Sequence, residues 1–446
     1  MSRPNILYLH SHDTGRYIQP YGYAVETPHL QAFAEQGVLF RNAFAVSPTC
    51  SPSRAALLTG RYPHNCGMHG LASPKWGYKL DDPTRHITHP LNAAGYLTAL
   101  GGVQHLAKDP ASDPRTLGFQ VYLHEHDIGE DVADLHERAA AFIGQDHRQP
   151  WFLAVGFDET HRDNRQGEPA TGSRFSKHTP YDPAQLDARY GRAPAIFPDL
   201  PEIRADWASY RAGVKRLDER IGHVLAALDR SGQADNTIVL ITTDHGLAWP
   251  GMKCNVTDHG LGVMLMMRAP RGFSGGRVIE PMVTHLDIYP TLCDLTGLKP
   301  PSWLQGRSLL PLVRGETDRL HDAIFAEQGW HEVAEAQRAI RTTRYKYISR
   351  LDPIGPKSVN CDESPAKRAL HAAGWFDRPL GHELLFDLML DPQERCNLAG
   401  DPAMDGVRAE LRQQLHAWME ETQDPFLSGA AVPPPAQSAS ASKTTD

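Results

Sequence analysis

Thr49–Arg61 reads T-C-S-P-S-R-A-A-L-L-T-G-R, a reactive side chain set at the start of a short helix. Ser51 is suited to cap the helix N-terminus, and Pro52 to occupy its first position, where a missing N–H costs nothing. Ala55, Ala56, Leu57 and Leu58 propagate the helix, and Gly60 predicts a left-handed cap at its end. Free N–H groups and the positive end of the helix dipole then face whatever lies beside Cys50, an arrangement suited to an anion. Arg54, one turn further along the same face, is placed to hold that anion or to orient the group on Cys50.

Outward from this helix, the chain repeats one pattern. Asn5–His10 (N-I-L-Y-L-H) reads as a buried parallel strand and runs into Ser11-His12-Asp13-Thr14-Gly15. Gly95–Leu100 leads to Gly102-Val103-Gln104-His105, and Trp151–Phe157 to Asp158-Glu159-Thr160-His161-Arg162. Ile238–Thr242 delivers Thr243-Asp244-His245-Gly246. Polar clusters just past parallel strands are where open α/β sheets build their sites, because parallel strands bring such ends to one edge. Thr27-Pro28-His29-Leu30 opens an amphipathic helix through Ala34, and Val38–Phe44 reads as a further strand. From Ile203, a stripe of Trp207, Tyr210, Val214, Leu217, Ile221, Val224, Leu225 and Leu228 marks a long helix packed on the sheet. Residues 163–202, rich in Gly, Pro and Asp, are expected to form an irregular excursion over the site.

Cys50-Ser51-Pro52-Ser53-Arg54 followed by Leu58-Thr59-Gly60-Arg61 resembles the signature of the type I sulfatases, members of the alkaline phosphatase superfamily. The order T-P-H-L, V-L-F-R-N-A-F, then the Cys50 stretch is most similar to the heparan N-sulfatase (sulfoglucosamine sulfohydrolase) branch. The resemblance covers nearly the whole chain. It implies an α/β fold with a large, mixed but mostly parallel sheet flanked by helices, and a smaller C-terminal α+β domain carrying an antiparallel sheet. It also implies oxidation of Cys50 to formylglycine by a formylglycine-generating enzyme that reads Cys50, Pro52 and Arg54.

The same resemblance assigns roles to the strand-end residues. Asp13, Asp244 and His245 match the family's metal ligands, and the ion implied is Ca²⁺. His12 stands where the family has a second aspartate; imidazole suits a hard cation poorly, so either His12 stands back or the site favours Mn²⁺ or Zn²⁺. Lys253 and His105 match residues that contact the sulfate group, and His161 a proton donor or sulfate ligand. Val103 stands where the family pattern has a lysine; Lys108 is nearby in sequence. His331 and Glu332, in Trp330-His331-Glu332-Val333, fall where the small domain would touch the substrate's sugar. His64 and His69 are candidates in a loop where the family shapes part of its pocket, and Thr257-Asp258-His259-Gly260 repeats the Thr243–Gly246 pattern after a loop instead of a strand.

The expected division is a catalytic domain over 1–320, a smaller domain over 321–425 and a disordered tail over 426–446. A hydrophobic share of 41% and a charged share of 22% are those of a globular chain able to bury a large core. The net charge of −8 argues against nucleic-acid or membrane-surface partners, so an anion site must be built locally. Cys50, Cys66, Cys254, Cys293, Cys361 and Cys396 lack zinc-site pairing. Met1-Ser2-Arg3-Pro4 runs straight into a strand without a leader-like apolar stretch, so the location expected is cytoplasmic. The function expected is hydrolysis of a sulfate ester or sulfamate of a saccharide or small molecule. Alternatives are a phosphonate or phosphodiester hydrolase or a transferase of the same superfamily, or a sulfatase-like binding protein with degraded chemistry. Oligomeric state is left open.

Overall fold

The computed structural model describes residues 3–107, 114–124, 131–163, 174–175, 187–270 and 272–435. Asn5–Ser11 (β1) is buried at every position, as a strand covered on both faces must be. It lies at the centre of an eight-stranded sheet. From one edge the order is Arg277–Ile279, Val38–Phe40, Leu265–Arg268, Thr237–Thr243, β1, Trp151–Gly156, Leu97–Gly102 and Val121–Tyr122. Only Leu265–Arg268 runs against its neighbours; every other pairing is parallel. The C-terminal ends of β1, Leu97–Gly102, Trp151–Gly156 and Thr237–Thr243 therefore share one edge, the edge anticipated for the four polar clusters.

Alternation along β1 divides the core in two. Ile6 and Tyr8 face a cluster holding Ala55, Leu57 and Leu58 of the Cys50 helix. Leu7 and Leu9 face the other layer, where Trp207, Tyr210, Val214, Leu217, Ile221, Val224, Leu225 and Leu228 of the helix Pro201–Arg230 pack. That helix starts two residues ahead of the expected Ile203 because Pro201 is favourable at a first helical position.

A second sheet is antiparallel and sequential: Ala323–Trp330, Ala334–Thr342, Tyr345–Arg350 and Glu383–Asp387. One face, with Ile324, Ala339, Ile348 and Phe386, meets Phe44, Val256 and Leu261 of the first part of the chain. The other, with Ile340, Tyr347 and Leu385, receives Leu411, Leu415, Trp418 and Met419 of the helix Asp405–Glu421. Asp258 is a rivet between the two sheets: its carboxylate pairs with Arg341 (3.0 Å) and Lys346 (2.5 Å). The repeated T-D-H-G stretch is thus structural, capped by Thr257 as the short helix Asp258–Leu261.

Three expectations change. Val38–Phe44 splits into Val38–Phe40 and Ala43–Phe44, which pair in different sheets. The segment expected as a disordered tail from 426 instead packs on the fold: Phe426 is buried, and the Tyr78 hydroxyl donates to the Val432 carbonyl (2.7 Å). Low apolar content misled there because a few anchored residues suffice to hold a segment; 436–446 lie outside the described residues. Of the excursion over 163–202, Arg162–Asp163 and Arg174–Phe175 form a short antiparallel pair, and 164–173 and 176–186 lie outside the described residues. No helix among the described residues is long and apolar enough to cross a membrane.

Candidate active site

The helix anticipated around Cys50 spans Cys50–Thr59 (α1), and its N-cap is Thr49, with φ −136° and ψ 150°. Ser51 is not the cap. Proline is harmless at any of the first helical positions, so the helix begins earlier, with the Ser53 N–H donating to the Thr49 carbonyl (3.0 Å). Cys50 is therefore the first helical residue. The Ser51 hydroxyl ties two loops together instead, donating to the His105 carbonyl (2.7 Å) and accepting from the Ala72 N–H (3.0 Å). Gly60 ends the helix at φ 70°, where a Cβ would lie 2.3 Å from Leu304 Cδ2.

Strand ends bring the remaining groups to Cys50. Its Sγ lies 3.4 Å from His245 Nε2, 3.9 Å from His12 Nδ1 and 4.0 Å from Asp13 Oδ1. Asp13 turns out of β1 in a left-handed conformation (φ 57°), and its N–H bonds Asp244 Oδ1 (2.8 Å). Its Oδ1 faces His12 Nδ1 (3.0 Å) and His245 Nε2 (3.2 Å), and its Oδ2 accepts from Lys253 Nζ (2.9 Å). Asp244 Oδ2 accepts from Arg54 Nη2 (2.9 Å) and lies 3.3 Å from His12 Nδ1.

The charge state follows from these neighbours. Burial alone would raise both carboxyls. For Asp13 the charges of Lys253, His12 and His245 win, and for Asp244 those of His245, His12 and Arg54; both are held well below the usual carboxylate range. Burial lowers His12 to about 4 against the pull of Asp244, so its imidazole is neutral and its lone pair available at neutral pH. Lys253 is raised well above its ordinary value: burial opposes its charge, but Asp13 and Asp362 outweigh it. Burial pushes the Cys50 thiol well up in spite of Lys253, so the unmodified side chain is a thiol and a weak nucleophile.

His12, Asp13, Cys50 and Asp244 offer donor atoms that all lie within 4.8 Å of one another. Two ionised carboxylates beside a neutral imidazole form a set fit for a divalent cation. His12 does not stand back from it, since Nδ1 faces both carboxylates. His161 and His105 border the set: their rings lie 4.4 and 5.7 Å from the His12 ring. Val103 is buried, with its N–H bonded to the Gly156 carbonyl (2.9 Å), and brings no charge to the site. Lys108 lies outside the described residues.

Some functional neighbours escaped the sequence reading. Arg54 donates Nη1 to His10 Nδ1 (2.6 Å) as well as Nη2 to Asp244, so it orients a carboxylate and does not stand free for an anion. Only the inward register of β1 marks His10, and a strand's register is invisible before its partners are known. Arg220 bonds Asp131 (2.7 Å) and Glu159 (2.8 Å) in full burial and holds the turn that carries His161. His331 is buried beside this charge cluster, and burial, then Lys253, lowers it to about 3. Glu332 instead forms an exposed ion pair with Lys75. Asp362, which carried no motif, reaches to 3.3 Å from Lys253 Nζ. His64 belongs to a separate buried cluster with Glu327 and Asp424.

A family model described as Sulfatase matches residues 4–298, and one described as N-sulphoglucosamine sulphohydrolase, C-terminal, matches residues 252–354. N-sulphoglucosamine sulphohydrolase of Homo sapiens is 31% identical, over 91% of this chain and 87% of its own length. A protein solved in complex with its substrate D-glucosamine-2-N,6-O-disulfate superposes with a TM-score of 0.71 at 20% identity, covering 95% of this chain and 99% of its own. Phosphonate monoester hydrolase of Agrobacterium radiobacter gives 0.70 at 22%, covering 94% and 96%. The structural likenesses carry the fold, and the sequence matches carry the lineage: this chain belongs to the sulfatase family.

Proposed function

We propose that this protein hydrolyses the sulfamate or sulfate ester of a sugar, with Cys50, converted to formylglycine, as the attacking residue. The observation that carries this reading is the position of Cys50 at the head of its helix, its Sγ 3.4 Å from His245 and in one donor cluster with His12, Asp13 and Asp244. The human relative is named for sulfoglucosamine, which favours an amino-sugar sulfamate as substrate.

Asp13, Asp244, His245 and His12 would hold a divalent cation, which supplies Lewis-acid polarisation of the sulfuryl oxygens. The presence of His12 favours a nitrogen-tolerant ion such as Mn²⁺ or Zn²⁺ alongside Ca²⁺. Formylglycine supplies, as its hydrate, one hydroxyl to attack sulfur and a second whose deprotonation releases sulfate. The chain's own residues do the rest. Lys253 keeps a buried positive charge beside the sulfuryl oxygens. Arg54 fixes the Asp244 carboxylate, with His10 behind it. His161 or His105 gives a proton to the departing nitrogen or oxygen as its bond to sulfur breaks. Cys50 and Arg54 are 1% and 3% exposed, so a formylglycine-generating enzyme must reach Cys50, Pro52 and Arg54 before the chain folds. The division into a catalytic part over 1–320 and a substrate-side part over 321–425 belongs to the same reading.

The test is the mass of the tryptic peptide Asn42–Arg54 from protein co-expressed with a formylglycine-generating enzyme, beside turnover of D-glucosamine N-sulfate, 4-nitrophenyl sulfate and a phosphonate monoester. Loss of sulfur at Cys50, a hydrazide-reactive aldehyde and preference for the sulfur substrates are expected. An intact thiol, under conditions that convert a control sulfatase, would refute the covalent mechanism. Preference for the phosphonate would refute the substrate class.

A further inference from the structure

Consecutive residues of α1 hold Asp244 at both ends. Arg54 Nη2 donates to its side chain (2.9 Å), and the Ser53 hydroxyl donates to its backbone carbonyl (2.5 Å). That carbonyl begins the peptide leading to His245, whose Nε2 lies 3.4 Å from Cys50 Sγ. The Ser53 bond therefore couples the helix that carries Cys50 to the strand end that carries Asp244 and His245.

A histidine from a distant part of the chain aims the Ser53 hydroxyl. His285, 1% exposed, opens the turn His285–Asp287, whose capping box fixes it: the Thr284 N–H donates to the Asp287 carboxylate (2.7 Å). His285 Nδ1 lies 3.3 Å from Ser53 Oγ, and its Nε2 lies 3.2 Å from Oγ1 of Thr242, near the end of the strand Thr237–Thr243. The Thr242 hydroxyl also faces the Met264 carbonyl (2.7 Å).

Counting hydrogens decides the arrangement. Each hydroxyl has one hydrogen, and a neutral imidazole has one N–H. Burial lowers His285 to about 3 against the pull of Asp244, so the ring is neutral. Three hydrogens must then serve four contacts. With the ring hydrogen on Nδ1, the ring donates to Ser53, and the Ser53 hydrogen stays on the Asp244 carbonyl. With it on Nε2, the bare Nδ1 draws the Ser53 hydrogen and the Asp244 carbonyl is released. The Ser53–Asp244 contact is the shortest of the four, which selects the first state.

We propose that His285 is a positioning residue for the reaction: as its Nδ1–H tautomer it keeps the Ser53 hydroxyl on the Asp244 carbonyl and so sets the spacing between Cys50 and the Asp244-His245 pair. This assignment rests on the sulfatase reading above. His285 acts through Ser53, not on the sulfuryl group.

Three variants test it. In His285→Asn the amide nitrogen takes the place of Nδ1 and still donates to Ser53. In His285→Gln it takes the place of Nε2 and serves Thr242, and His285→Ala serves neither. Each variant is matured with a formylglycine-generating enzyme, and rates on D-glucosamine N-sulfate and 4-nitrophenyl sulfate are taken per formylglycine, beside thermal midpoints. The glutamine and alanine variants are expected to lose about 30-fold in kcat with KM within about 2-fold, and the asparagine variant to stay within about 3-fold of the unmutated kcat. Equal kcat in the asparagine and glutamine variants, losses that merely follow the thermal midpoint, or an unchanged kcat in the alanine variant would overturn the assignment. A second readout needs no turnover: nitrogen NMR of ¹⁵N-histidine-labelled protein, with the His285 signals identified by their loss in His285→Asn. A hydrogen on Nδ1 and a bare Nε2 are expected at neutral pH; the opposite tautomer or an imidazolium overturns the assignment. If the unmutated, matured protein turns over neither sulfate substrate while His285 carries its hydrogen on Nδ1, the sulfatase reading fails and the link from His285 to Asp244 stands.

Discussion

Arg162 follows His161 directly, and its replacement by methionine has a calculable consequence. Its guanidinium grips Asp206 of the long helix Pro201–Arg230 with Nη1 to Oδ1 at 2.8 Å and Nη2 to Oδ2 at 2.9 Å, while Nε donates to the Ala248 carbonyl at 2.7 Å. Both side chains of the pair are 0% exposed, and the guanidinium lies 4.2 Å from the centre of the Phe175 ring. Methionine keeps the apolar stem but removes both of these bonds to the buried Asp206 carboxylate, and taking one partner out of a buried ion pair costs about 3–5 kcal/mol. The bond to Ala248 adds about 1 kcal/mol, and the contact with Phe175 about 1 kcal/mol more. A loss of about 5–7 kcal/mol is then expected, against a total stability of about 5–15 kcal/mol for a folded domain. Urea unfolding followed by tryptophan fluorescence suits the measurement, since Trp207 and Trp249 flank the pair with ring centres 5.9 Å apart. Arg162→Met/Asp206→Leu should regain at least about 2 kcal/mol, because the buried carboxylate goes together with the guanidinium that faced it. A single variant costing under about 1 kcal/mol, or a double variant no more stable than the single, would refute the reasoning.

Acid sensitivity follows from histidines that burial holds neutral. His86, His285 and His331 fall to about 3, and His12 and His259 to about 4, from an ordinary 6.5. Below pH 6.5 the unfolded chain takes up protons that the folded one refuses, so stability is whole above pH 6.5 and is lost as pH falls toward 3–4. The cost is on the order of 1–2 kcal/mol per histidine at pH 5. His64, raised because Glu327 outweighs its burial, acts in the opposite sense, as does Glu159, which burial raises to about 7, but five lowered histidines outnumber them. A urea midpoint that holds or rises between pH 7 and pH 5 would contradict this. His12→Asp should lower the thermal midpoint of metal-free protein by crowding a third carboxylate against Asp13 and Asp244. It should also enlarge the shift produced by Ca²⁺ relative to that by Mn²⁺ or Zn²⁺; an unchanged order among the three ions would count against His12 as a ligand.

Much of the candidate site was legible along the chain, because His12, Asp13, His161, Asp244 and His245 each follow a strand closely. An apolar run ending in His12-Asp13, in His161 or in Asp244-His245 states locally that a strand stops and a polar group begins. Parallel pairing then puts those ends together. Gly60 was legible for an equally local reason, the left-handed turn it makes possible. The N-cap was misplaced by two residues, since Thr49 and Ser51 are both good caps and the choice falls to the loops that Ser51 bonds, one near Ala72 and one near His105.

Other features arise only when distant segments meet. Asp362 sits in C-D-E-S-P, an unremarkable turn, and reaches Lys253 because the antiparallel sheet docks against Phe44, Val256 and Leu261. Arg54 had a local reading as holder of an anion or orienter of the group on Cys50; that Asp244 would lie 2.9 Å from it was written in no local pattern. The split between His331, buried by the lysine, and Glu332, paired at the surface with Lys75, likewise depends on which way one β-turn faces. Side-chain periodicity and strand ends are written into consecutive residues, whereas charge partnership depends on which residues folding brings within a few ångströms, and no local pattern encodes that distance.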